Sequence, residues 1–284
     1  MLGWLFARGA SKHRVAQMQA RINPELWTQT LASHAFLARL TEDERDTLRE
    51  RAAWFLASKT MTGAAGQVLT DEIRLSIAVQ ACLPILYLDP GLYEGWSEVI
   101  VYPGGFLIPR SDVDEDGVVH EYVEEAAGEA WDGGPIVLSW EDASPGLERP
   151  AGFNVVIHEF AHKLDLQYGQ ADGMPSLHAH AGIRPRLWRS VLERSYDALL
   201  ARLEEIEAAI PADVDPESEE ADHWYAQLPL DPYAATDEAE FFAVSSEAFF
   251  VHPEPLWRAM PEWYALLSQY YRQDPLGAGP ALPR

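Results

Sequence analysis

The stretch that decides the reading is Val155-Val156-Ile157-His158-Glu159-Phe160-Ala161-His162, inside a segment from Phe153 to Leu166 whose pattern predicts a helix. At about 100° per residue, positions four apart differ by only about 40° around a helix, so both imidazoles project from one face and can meet one ion. Glu159 directly follows His158 and points to the side of that ion, where its carboxylate can take a proton from water. Nine histidines and 45 acidic residues in 284 positions give roughly 0.05 such pentads by chance. Two unrelated histidines on a half-buried face, with a surface glutamate between them, is therefore the lesser reading.

A catalytic zinc site takes three protein ligands and leaves a fourth position to water. The metzincin extension would place Gly at 165 and His at 168, and this chain has Asp165 and Tyr168, which excludes that class. A glutamate from a later helix is the alternative. The segment YAATDEAEFFAVSSEAFF at 233 to 250 supplies Glu240 and Glu247, seven apart and hence on one face. Both sit among aromatics, where an unpaired carboxylate is costly and calls for a cation. Position alone does not choose between them, and the one that is not a ligand takes a supporting or structural role. Tyr233 is placed either to donate its phenol to an oxyanion or to pack at the helix entrance. Asp165, three after His162, is placed either to orient a ligand imidazole through its second ring nitrogen or to be solvated.

The formal charge is 21 − 45 = −24, and 48% of the residues are hydrophobic. This surplus of negative charge disfavours nucleic acid and anionic membrane surfaces as partners. The length allows one large domain or two small ones at about 150 residues each. Cys82 is the single cysteine and lies in an apolar run, which predicts a small buried hydrophobe and a reducing compartment. The apolar amino terminus lacks a basic n-region, and the run from Ile73 to Leu88 is broken by Arg74, Ser76, Gln80 and Pro84. A soluble, cytoplasmic protein is the expectation.

Along the chain, residues 1–35 read as an arm of undetermined order. Thr41-Glu42-Asp43-Glu44 is a capping box opening a helix with Leu48, Ala52, Phe55 and Leu56 on its apolar face. Thr70-Asp71-Glu72 opens a second helix to about Ala81. Short strands are expected at Ile85 to Leu88, Glu98 to Tyr102, Gly105 to Ile108 and Pro135 to Trp140, together a small sheet. After the motif helix come a long loop from Gly169 to Gly182, an amphipathic helix from Pro185 to Ile210 and an acidic, solvated loop from Pro211 to Asp231. Thr236 caps a further helix with Asp237 and Glu238 in its first turn, and an aromatic helix runs from Pro261 to Tyr271. Asp112 to Gly117 imitates the start of an EF-hand loop, but the twelfth position is Val123, so an acidic turn is expected. His178 and His180 read as solvated loop histidines. The fold class is α+β.

Four segments in order, GPIVLSWED at 134–142, HEFAHKLD at 158–165, YAATDEAEFFAVSSEAFF at 233–250 and YYRQDPL at 270–276, resemble the Mlc titration factor A family. These are bacterial zinc peptidases of zincin-like fold, related to the anthrax lethal factor catalytic domain. The resemblance covers residues 36–276. It implies a single metallopeptidase domain, with an N-lobe at 36–166 carrying the sheet and motif helix, a helical C-lobe at 167–276, and a tail at 277–284. It also implies one zinc ion held by His158, His162 and Glu240, with Glu159 as general base and Glu247 behind the ligands. Aminopeptidase-type activity and binding to the glucose repressor Mlc follow from it as well, although no motif here marks a repressor surface. The acidic stretch at 211–231 is longer than that family's usual connection. The expected function is thus a zinc peptidase acting through metal-activated water. The alternative is a non-catalytic, zinc-stabilised protein that sequesters a repressor or other partner. Glu159 favours the enzyme, since a purely structural site needs no base and usually closes with a fourth protein ligand.

Overall fold

Helices open and close the described part of the chain and a small sheet lies between them, as the α+β reading expects. The computed structural model describes residues 11–113, 119–146, 150–216 and 218–277. The elements are α1 (Lys12–Arg21), α2 (Pro24–Ser33), α3 (Glu42–Ser58), β1 (Thr60–Gly63), α4 (Asp71–Cys82), β2 (Glu98–Tyr102), β3 (Phe106–Val113), β4 (Val119–Ala126), β5 (Gly128–Ala130), β6 (Ile136–Ser139), α5 (Trp140–Ala143), α6 (Val155–Asp165), α7 (Pro185–Glu207), α8 (Asp222–Tyr225), α9 (Glu238–Val251), α10 (Pro253–Ala259) and α11 (Pro261–Tyr271). Among the described residues no helix is long and apolar enough to cross a membrane.

The main sheet has the order β1-β2-β6-β5. β1, β2 and β6 run parallel, with Thr60 beside Glu98 and Val99 beside Ile136, while β5 runs antiparallel to β6 with Ala130 beside Ile136. β6 is buried along its whole length and has neighbours on both sides, which leaves β5 as the edge strand next to α6. β3 and β4 pair with each other in a separate antiparallel ribbon.

The sheet side of α6 is fixed by an aromatic cluster. Phe160 is fully buried, with its ring 5.1 Å from Tyr93, 5.4 Å from Phe55 and 5.7 Å from Trp96. Three consecutive β-branched residues, Val155 to Ile157, start this helix against their intrinsic preference. Their burial outweighs that preference, and the Asn154 side chain caps the turn by accepting the Ile157 N–H at 2.9 Å. On the other side, α6 packs against α9, which is apolar nearly all round and buried from Phe241 to Phe250, the signature of a central helix. Trp188, Trp263 and Tyr270 close the core beyond it.

The capping box is formed as expected: Glu44 Oε2 accepts the Thr41 N–H at 2.8 Å, and Thr41 Oγ1 accepts the Glu44 N–H. Cys82 is fully buried. Several expectations need correction. Within the expected arm, residues 11–33 form α1 and α2, capped by Ser11 and Asn23, and Ile22, Trp27 and Thr30 are buried; residues 1–10 lie outside the described residues. Ile85 to Leu88 is not a strand but a run of buried turns after Pro84, and the carbonyls of Leu86 and Leu88 accept from the Arg51 guanidinium at 3.4 and 3.1 Å. The strand expected at 105–108 extends to Val113 and belongs to the separate ribbon. The segment 211–231 is more than a solvated loop, because it contains α8 and buries Ala221, Leu228 and Leu230. Asp237, not Thr236, caps α9 by accepting the Glu240 N–H at 2.8 Å. Of the acidic turn, Asp112 and Val113 end β3, while 114–118 lie outside the described residues, as does the tail beyond 277.

Candidate metal centre

α6 supplies His158 and His162 from one face, and the first turn of α9 brings Glu240 up to them. His158 Nε2 lies 3.1 Å from His162 Nε2 and 3.1 Å from Glu240 Oε2, and His162 Nε2 lies 3.3 Å from the same oxygen. These three residues form the one group among the described residues that could hold a metal ion. In a tetrahedral site with bonds of about 2.1 Å, ligand atoms stand roughly 3.4 Å apart, close to this spacing.

The proton placement also fits a cation. His158 Nδ1 is 2.7 Å from Glu247 Oε1, so the carboxylate places the ring proton on Nδ1 and leaves a lone pair on Nε2. That lone pair faces a second imidazole nitrogen and a carboxylate oxygen, an arrangement that a shared positive ion satisfies. Burial disfavours charge on His158, yet the Glu247 carboxylate, with Glu240 and Glu159, raises its pKa well above the ordinary value. Burial likewise pushes the Glu240 carboxyl upward, but the two imidazoles outweigh it and hold the group far below the usual range. In both shifts a second proton on His158 balances the carboxylates, the positive charge that an ion shared by Nε2 and Glu240 would supply in its place.

Glu159 is 4% exposed, and its Oε2 is buried without a hydrogen-bond partner. Burial pushes its pKa up to about 7; the two imidazoles oppose that shift, while Glu240 and Glu247 add to it. β5 passes directly over it. A Cβ built at Gly128 would stand 2.7 Å from both Glu159 Cγ and Val155 Cγ2, so the strand can approach this closely only as glycine.

The remaining expected site residues are placed less evenly. Glu247 stands behind His158, as already described. Tyr233 is half-exposed in a 3-10 turn before α9, with its ring centroid 6.1 Å from that of His158, at the rim of the site. Asp165 does not reach a ligand imidazole: its Oδ2 accepts the Gly173 N–H at 2.8 Å, and its Oδ1 is buried without a partner. The loop following α6 folds back over Asp165 and takes that carboxylate for its own backbone. His180 is buried, its ring 4.8 Å from Tyr270, and burial lowers its pKa to about 4; only His178 is exposed.

Three contributors escaped the sequence reading. Gly128 gave no signal, since no strand was expected at this position. Asn154, just ahead of an apolar run, had the position of a helix cap. Lys163, inside the motif helix, is 4% exposed and donates to the carbonyls of Trp131 and of Gly134, the latter at 2.9 Å, pinning the β5–β6 turn to α6.

The sequence model of the glucose-regulated metallo-peptidase M90 family matches residues 8–272. Mlc titration factor A of Pectobacterium atrosepticum is 37% identical over 254 residues, covering 89% of this chain and 87% of that protein. Mlc titration factor A of Serratia proteamaculans is 36% identical over 250 residues, covering 88% and 87%. An uncharacterized protein of Synechocystis sp. is 34% identical over 268 residues, covering 93% and 89%. The chain belongs to the M90 metallopeptidase family.

Proposed function

We propose that this M90 family member is a zinc-dependent peptidase of zincin-like fold, with aminopeptidase-type action, that holds one ion through His158, His162 and Glu240. The observation that carries the proposal is the convergence of those three ligand atoms beside a buried carboxylate, Glu159, whose Oε2 has no hydrogen-bond partner. Bound there, zinc would supply Lewis acidity, lowering the pKa of water and polarising a peptide carbonyl. Glu159 removes the proton from the attacking water and delivers it to the leaving amine nitrogen. Its raised pKa suits both halves of that exchange near neutral pH. Tyr233 donates its hydroxyl toward the oxyanion from the rim. Glu247 keeps the His158 proton on Nδ1.

An extended substrate would add to the sheet at the edge strand β5, because β6 already has a neighbour on each side. The contiguous core supports one peptidase unit that begins earlier than residue 36, since Ile22 and Trp27 belong to it.

The relatives' name supports a second reading, in which the chain binds an Mlc-like repressor and the metal serves the fold alone. One comparison separates the two: native chain and Glu159→Gln, assayed for zinc content and for cleavage of fluorogenic peptides with free or blocked amino termini. The peptidase reading expects zinc in both proteins and cleavage by the native chain alone, with free amino termini preferred. Zinc in both and cleavage by neither would favour the binding protein.

A further inference from the structure

His158 is held from behind by a run of buried amides that extends well beyond Glu247. We infer that Gln80 and Asn154 are positioning residues that set the bearing and tautomer of His158 through that carboxylate; the inference rests on the metal reading above. Glu247 is held at both oxygens. Its Oε1 faces His158 Nδ1 at 2.7 Å, and its Oε2 accepts the backbone N–H of Asn154 at 2.5 Å. The Asn154 side chain then works in two directions. Its Oδ1 caps α6 at the Ile157 N–H, and its Nδ2 donates to Gln80 Oε1 at 2.8 Å. Gln80 Nε2 in turn faces the Ser76 carbonyl at 3.2 Å, Ser76 Oγ at 3.3 Å and the Ala143 carbonyl at 3.2 Å.

This arrangement has only one consistent assignment. Turning the Gln80 amide over would set its oxygen against the two carbonyls and its nitrogen against Asn154 Nδ2. Turning Asn154 would point its Nδ2 at the Ile157 N–H and its oxygen at Gln80 Oε1. Each amide therefore locks the other, and both are buried, at 2% exposure for Gln80 and 9% for Asn154. Capping α6 requires only the Asn154 oxygen. The bond from its nitrogen to α4 does nothing for the helix end, but it fixes the peptide N–H that orients Glu247. Without it that N–H is held less firmly, and the Glu247 carboxylate and the imidazole whose Nε2 faces Glu240 and His162 are less closely aimed.

The link can be cut from either side. Gln80→Met removes the acceptor at nearly constant length, beside a cavity of about 330 Å³ that Gln80 lines with His34, Phe153 and Asn154. Asn154→Ser keeps an oxygen to cap the helix, keeps the backbone N–H, and loses only the amide nitrogen. Ser268→Ala on α11, which removes a hydrogen bond to the Gln273 carbonyl just beyond that helix, controls for lost stability. The readouts on the full chain are the Zn2+ dissociation constant by chelator competition, the visible absorption of the Co2+-loaded protein, and thermal unfolding without metal. Gln80→Met and Asn154→Ser should each weaken Zn2+ binding about tenfold or more and shift the Co2+ bands. The double variant should be no weaker than the weaker single variant, because both remove one link, and Ser268→Ala should change neither the Zn2+ affinity nor the Co2+ bands. Unchanged Zn2+ affinity and Co2+ spectra in both single variants would overturn the inference, whatever their melting temperatures. So would a loss of affinity in Ser268→Ala of the same size. If the native chain itself bound no Zn2+, the metal reading would fall first and take this inference with it.

Discussion

Gly128 is where a single atom has most effect on the proposed chemistry. The strand at this position lies against the Glu159 side chain, so a methyl group there must push either the edge strand or the base away. Misplacing a catalytic group by an ångström costs on the order of 100-fold in rate. Gly128→Ala is therefore expected to lower kcat/KM by about 100-fold while zinc content stays at the native level, because none of the three ligands is touched. Peptide hydrolysis with parallel zinc analysis checks this. Full activity in Gly128→Ala would mean that Glu159 is not the base or that β5 does not constrain it.

At the scale of elements, the contacts between helices carry their own pH dependence. His34, at the end of α2, is 5% exposed and meets Ser76 Oγ of α4 at 3.0 Å. Burial lowers its pKa from 6.5 to about 4, so the fold holds it neutral. The unfolded chain takes up that proton as pH falls from 6.5 toward 4, and the native state does not. Stability is thus fully present above 6.5 and falls by roughly 3 kcal/mol by pH 4. Urea unfolding of the native chain and His34→Gln across this range should show the slope in the first and its reduction in the second. Equal slopes would place the acid sensitivity elsewhere.

The same scale shows what could be read from sequence. α3 and α4 announced themselves by their caps, α6 by its apolar run and α11 by its aromatic run, and the histidine pair of the site follows from helix geometry alone. Helix geometry did not choose between Glu240 and Glu247, since seven residues put both on one face; the resemblance pointed to Glu240, and the packing of α9 on α6 sets Glu240 beside both imidazoles and Glu247 behind His158. Tertiary demands also decided the failures. Leu86 and Leu88 look like strand residues until the Arg51 guanidinium is seen taking their carbonyls. Asp165 has ligand-orienting spacing but is captured by Gly173. The edge strand β5 is too short, at three residues, to show an alternating pattern.

For the molecule as a whole, the proposed ligands come from α6 and α9, which sit in the middle of a core running from Ile22 to Tyr271. A metal bound there stabilises the native state by mass action, by about 2.7 kcal/mol at a free concentration 100 times its dissociation constant. Removing it with a chelator should lower the melting temperature by roughly 5–10 °C. An unchanged melting curve would mean that no ion ties these helices together. The most direct measurement is a crystal of the zinc-loaded protein with diffraction recorded on both sides of the zinc absorption edge. A single anomalous peak at bonding distance from His158 Nε2, His162 Nε2 and a Glu240 oxygen is the predicted result. A peak on other residues, or a fourth protein ligand closing the coordination shell, would contradict the catalytic centre proposed for this chain.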